Sequence, residues 1–155
     1  MNAPVRLPEG SATLLTEAQR GAIEAFYSAL TTHEVDLLDL ALRPDWEDIP
    51  MGPGQAPGPN GLRAVFVTMI GALPDIAIDI CEAIAAPNRV AIRAVATATH
   101  DGDLFGVPAT GRKVVFSLHE FHEFDGDQIR RSWHMEDLFG LFTQIGQWPP
   151  MHTGI

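Results

Sequence analysis

The sequence predicts an α+β domain, with helices first and then a curved meander of mainly antiparallel strands. Three observations predict it. Apolar residues recur at helical spacing through the N-terminal half and change to alternation just after Pro74. Four strand-length alternating segments follow, joined by turn-forming residues. Asp125-Gly126, flanked by two such segments, is a strong local hairpin signal. Helices laid across the concave side of a curved sheet enclose space, and small-molecule sites favour such places.

Each element follows from local chemistry. Residues 1–12 hold two prolines, a glycine and little periodicity, and read as a loose leader. Thr16-Glu17-Ala18-Gln19 fits a capping box, in which Thr16 and Gln19 satisfy each other's backbone N–H groups. Behind it Leu15, Ala18, Ala22, Phe26 and Leu30 make a helical stripe, widened by Ile23 and Tyr27. A second short helix fits Val35 to Leu42 and ends before Pro44. Asp45 to Ile49 reads as a short strand. Pro50 to Asn60 contains four prolines and three glycines, so it is a loop at the rim of the domain.

A third helix starts near Asn60, buries Leu62, Phe66, Met69, Ile70 and Leu73, and stops at Pro74. Ile76, Ile78 and Ile80 then alternate as far as about Ala85. Pro87-Asn88 turns the chain, and Arg89 to Thr99 forms the next strand. Val114 to Phe124 and Gln128 to Glu136 are the arms of the hairpin, and Asp137 onward closes the domain with a short amphipathic helix. The domain spans residues 13–148, with a tail at 149–155.

Composition removes several function classes. Lys and Arg number 10 against 20 Asp and Glu, a net charge of −10. Nucleic acid and anionic membranes demand basic surface, so neither is expected as a partner. Cys81 is the single cysteine, which excludes an internal disulfide and suits a reducing compartment. The N-terminus lacks an apolar stretch of signal-peptide length, and no run has the length of a membrane span. These features point to a cytoplasmic protein.

The hairpin carries the candidate chemistry, with His119 on one arm and His134 on the other. Side chains alternate along a strand, so Ser117, His119, Phe121 and Glu123 share a face, as do Arg130, Ser132, His134 and Glu136. An even loop sets His119 opposite Ser132 or His134 and brings the imidazoles together. An odd loop sets His119 against Trp133 and separates them. Close imidazoles rarely both carry charge, so their roles would split. A metal site from His119 and His122 fails, because a spacing of three puts them on opposite faces. Glu120, His122 and Glu123 read as solvent or interface groups. His100 and Asp101 read as shaping a turn, and Trp46 and Phe121 as core or pocket wall. Phe116, Leu118 and Trp133 form an apolar outer patch. No glycine motif for nucleotides is present; Gly106 and Gly111 serve turns.

Four stretches carry a family resemblance: A-L-P-D-I from Ala72, T-H-D-G-D-L-F-G-V-P-A-T-G-R-K-V from Thr99, H-E-F-H-E-F-D-G-D-Q-I from His119, and W-H-M-E-D-L-F-G-L-F-T-Q-I-G from Trp133. In this order they resemble the SnoaL-like polyketide cyclase, or ester cyclase, family of the nuclear transport factor 2-like superfamily. The resemblance runs from about Thr16 to Trp148. It implies a nuclear transport factor 2-like cone enclosing a pocket, a homodimer built sheet to sheet, and acid/base chemistry on a small cyclic or polyketide-like carbonyl compound. It implies no cofactor and no metal. The family places a histidine at His119, can place a glutamine at Ser117 and an asparagine at Asp48, and places its acid/base aspartate at His134. The resemblance thus marks His134, His119 and Asp48 as catalytic and Ser117 as substrate-binding; Trp46 and Phe121, as pocket wall, and Ser132, on the face of His134, are further expected substrate-binding residues. A histidine starts near pKa 6.5 and can replace a carboxylate as base. Two functions follow: a cofactor-free cyclase or isomerase, or a non-catalytic binder that has lost the aspartate.

Overall fold

The computed structural model describes residues 2–147. The chain runs α1 (Glu17–Thr31), a 3-10 turn (Val35–Leu37), α2 (Leu38–Ala41), β1 (Leu42–Ile49), α3 (Gly58–Ala72), β2 (Ala77–Ala86), β3 (Arg89–Thr99), β4 (Lys113–Asp125), β5 (Gln128–Glu136) and α4 (Leu138–Gln144). The sheet has five strands in the order β1-β5-β4-β3-β2. All neighbours are antiparallel except β1, which pairs parallel with β5 and forms one edge. Pro44 is tolerated there because an edge strand needs fewer ladder donors. This is the α+β cone that the sequence predicts.

The helices cover one face of the sheet. Thr16 and Gln19 form both halves of the capping box and start α1. Ile23, Phe26, Tyr27 and Leu30 are buried against inner-face residues such as Ile78, Ile92, Phe116 and Leu118. Ala18, expected in this stripe, is exposed, and its neighbour Gln19 turns inward to Asn88 and the Gly126 carbonyl. The segment before α1 is not a loose leader. Val5 and Leu7 are buried, and their N–H groups donate to Ser28 and Glu24 of α1. The tail expected at 149–155 lies outside the described residues.

Two bulges bend the antiparallel part of the sheet, besides a register shift between Leu42 and Glu47 of β1. One bulge falls between Ile80 and Glu82 of β2, the other opposite Glu123 and Phe124, where Arg130 of β5 is the extra residue. Each adds a residue to one strand and increases the local twist. Beyond the end of β5, the bare edge of β4 is covered by α4, whose Gln144 side chain pairs with both backbone groups of Val115 at 2.8 Å. The loop before α3 folds tightly onto that helix: a Cβ on Gly61 would stand 1.6 Å from the Ala56 carbonyl oxygen, so only glycine fits. Among the described residues no helix is long and apolar enough to cross a membrane.

Candidate functional site

The site is built on the inner face of β4 and β5. Val114, Phe116, Leu118 and Phe124 of β4 are buried, so the even-numbered positions point inward. Glu120 and His122 share that face, and both are buried. On β5, Ile129, Ser132 and His134 point inward, with two residues between the first pair because of the bulge at Arg130.

That bulge overturns the expected pairing of histidines. The turn itself is even: Asp125 pairs with Gln128. Continued without interruption, this register would bring His119 opposite His134. The extra residue moves His119 opposite Met135 and sets Glu120 opposite His134. His119 and Phe121 are therefore exposed on the outer face, and Ser117 points outward with them. Those three cannot join His134. Phe116 and Leu118, expected in an outer apolar patch, are 4% and 7% exposed and belong to the core. Glu120 and His122, expected at solvent or an interface, belong to the site instead.

His134 sits between two carboxylates. Its Nδ1 lies 2.8 Å from Glu136 Oε1. Its Nε2 lies 2.8 Å from the Pro50 carbonyl oxygen and 3.1 Å from Asp48 Oδ1. A carbonyl oxygen only accepts, and an ionised carboxylate only accepts, so both ring nitrogens donate and the ring is an imidazolium. The Asp48 and Glu136 hydrogen bonds push its pKa from an ordinary 6.5 up to about 11, against the opposing effect of burial. His134 is thus an acid and a fixed positive charge near neutral pH, and not the base of ordinary pKa that its residue type predicts. Asp48 is held by β1 and by the rim loop, where Gln55 Nε2 donates to Oδ2 at 2.7 Å. Its side chain is 4% exposed.

A second chain of hydrogen bonds lies beside the first. Trp46 Nε1 donates to Ser132 Oγ at 3.0 Å. Ser132 Oγ is 2.8 Å from His122 Nδ1, and His122 Nε2 is 3.0 Å from the Tyr27 hydroxyl. Tyr27 in turn donates to Glu120 Oε2. One assignment places every proton: Ser132 donates to Nδ1 of a neutral His122, whose Nε2–H donates to Tyr27. Burial, with the Glu120 charge beside it, holds the Tyr27 phenol well above its ordinary value. The Phe26 ring packs edge-on against His122, with centroids 5.0 Å apart. Trp46 and Ser132, marked as substrate-binding, are thereby committed to this network, at 2% and 1% exposed.

The two groups meet at Glu120, whose carboxylate comes within 4.8 Å of the donor atoms of His134 and Glu136. Of the seven residues marked from the sequence, the structure brings together His134, Asp48, Trp46 and Ser132. It adds Tyr27, Glu120, His122 and Glu136. The alternation of Val114, Phe116 and Leu118 contained the signal for Glu120 and His122, since residues two and four further on share the buried face. Nothing local marked Tyr27 or the Pro50 carbonyl.

Comparison with known proteins places the chain. The family model for SnoaL-like polyketide cyclase matches residues 20–145. No curated protein matches the chain. Several solved structures share the fold. TsrD from Streptomyces laurentii is 23% identical, with 85% of this chain and 98% of that chain covered, at a TM-score of 0.78. A SnoaL-like polyketide cyclase from Agrobacterium tumefaciens is 23% identical, with 85% and 100% covered, at 0.68. IdmH from Streptomyces antibioticus is 22% identical, with 81% and 96% covered, at 0.70.

Proposed function

The chain belongs to the SnoaL-like polyketide cyclase family, and on that premise we propose that it is an enzyme performing acid/base chemistry on a small cyclic or polyketide-like carbonyl compound, by aldol cyclisation or isomerisation. The observation that carries this reading is His134, an imidazolium clasped by Asp48 and Glu136 on the inner face of the sheet. A reaction that passes through an enolate needs a base for the proton alpha to the carbonyl and a donor for the developing oxyanion. Asp48 is the base in this proposal. His134 is the donor, its Nε2–H turning from the Pro50 carbonyl to the substrate oxygen. The enolate carbon then attacks a second carbonyl of the same molecule, and the resulting alkoxide takes back the proton that Asp48 removed, which restores the carboxylate. Phe66, Met69 and Ile70 of α3, half-buried against the core, supply the apolar wall.

The test is hydrogen exchange at the alpha carbon of an aryl 1,3-diketone in deuterated water, followed by proton NMR. The chain should accelerate exchange, and Asp48→Asn should reduce the acceleration by on the order of 10² to 10⁴, the usual share of one acid/base group. A second reading, a non-catalytic binder, is favoured by the outward placement of His119 and by the pairing of both His134 N–H groups. It expects the diketone to bind without any faster exchange.

We also propose a homodimer formed through the outer sheet face. Val115, Phe121 and Met135 are 54%, 61% and 68% exposed there, and Trp133 lies half-buried beside a depression of about 210 Å³ shared with Arg89 and Phe121.

A further inference from the structure

We propose that Glu120, His134 and Glu136 form a binding site for a divalent first-row transition metal ion. Their donor atoms lie within 4.8 Å of one another. Ligands of one ion, at bond lengths of about 2.0–2.2 Å, stand at most about 4.4 Å apart, so small rotations of the two glutamate side chains close the set. The three positions are fixed by the ladder: Glu120 and His134 are cross-strand partners, and Glu136 follows two residues later on the same face.

The orientation of the imidazole is that of a metal ligand with its outer partners in place. Nε2–H is held by the Pro50 carbonyl and by Asp48, as metal-binding histidines are held by a carbonyl or carboxylate behind them. This leaves Nδ1 aimed at the glutamates. Its 2.8 Å separation from Glu136 Oε1 matches one edge of a coordination polyhedron. Glu120 is 5% exposed, and its contacts with Tyr27 and His122 both fall on Oε2, leaving Oε1 for another partner.

Charge completes the argument. Among the described residues, the only basic side chains within ion-pair distance of Glu120, Glu136 and Asp48 are histidines, the neutral His122 and the charged His134. Three carboxylates surround one imidazolium with no Arg or Lys to balance them, and buried charges are paired or coordinate metals. A divalent ion would take the place of the Nδ1 proton, which leaves to solvent. One imidazole and two carboxylates suit Zn²⁺, Mn²⁺, Fe²⁺ or Co²⁺ better than Mg²⁺, which prefers all-oxygen sites. Three protein ligands leave positions open for water or a substrate oxygen. The site uses the residues of the acid/base reading but does not depend on it.

The experiment titrates chelator-stripped protein, in a Cys81→Ser background that removes the exposed thiol, with Zn²⁺ by calorimetry and with Co²⁺ by visible absorption. One equivalent per chain should bind, at micromolar affinity or tighter. His134→Ala and Glu120→Gln should each weaken binding by more than tenfold, and Asp48→Asn by about 10- to 100-fold. His119→Ala, on the outer face, should leave it unchanged. Absence of saturable binding, or full affinity in a folded His134→Ala variant, would overturn the site. Should a variant not fold, the nitrogen NMR shift of His134 in otherwise unchanged protein decides: Zn²⁺ should move Nδ1, and an unmoved signal would refute the proposal. No substrate enters these measurements. A failure here leaves the diketone exchange test intact, and a failure of that test leaves metal binding to stand alone.

Discussion

Glu120 and His134 stand opposite each other across the β4–β5 ladder, both on the inner face, and the bulge at Arg130 puts them there. Paired positions in a ladder have Cβ atoms roughly 4.5–5.5 Å apart, close to the reach of a disulfide. In a Cys81→Ser background, Glu120→Cys with His134→Cys should therefore cross-link under mild oxidation. His119→Cys with His134→Cys should not. The reverse result would restore the register without a bulge.

Ser132 accepts from Trp46 and bonds to His122 in a place that water does not reach. Ser132→Ala leaves the indole N–H and the imidazole Nδ1 without partners. The cost of a buried unsatisfied polar group is about 1–3 kcal/mol. Denaturant unfolding of the variant should show a loss of at least that size, whereas Ser117→Ala on the outer face should change stability little.

Tyr27 is the single tyrosine of the chain, so phenolate absorbance reports on it alone. Burial and the neighbouring Glu120 raise its pKa in the folded state. The stabilisation linked to this shift is present below the unfolded-state pKa of about 10 and is lost as pH rises towards the raised folded value. Native protein should show no phenolate absorbance near pH 10, and the signal should appear together with unfolding. A smooth native titration at the ordinary value would remove Tyr27 from the buried network.

Phe121 and Met135 are the exposed centre of the outer face. Phe121→Glu combined with Met135→Glu should convert a dimer to a monomer in light scattering at micromolar concentration, with the fold retained. A wild-type monomer at that concentration would count against assembly through this face.

Much of this fold was legible because its signals are local. The capping box at Thr16 and Gln19, the period change after Pro74, and the Asp125-Gly126 turn each act within a few residues. The site was less legible because one inserted residue decides which side chains meet. Of the two loop parities the sequence left open, the turn takes the even one, yet Arg130 cancels it a few residues later, and no residue type marks a bulge as Gly marks a turn. His134 and Asp48 do meet, while His119, Ser117 and Phe121, expected on the face of His134, lie on the opposite one. The charge state of His134 was equally hidden, since it depends on Pro50, Asp48 and Glu136 arriving from different parts of the chain.

His134 is held as a cation by the two carboxylates beside it. The direct measurement is a pH titration of the His134 ring nitrogens by NMR in metal-free protein. Its pKa is raised from 6.5 to about 11. The associated stabilisation is complete below the unfolded-state value and disappears only as pH climbs through the folded one. Both nitrogens should therefore keep imidazolium shifts through pH 8, and Asp48→Asn should move the titration towards neutrality. A ring in the wild-type protein that loses its proton near pH 6.5 would contradict the account.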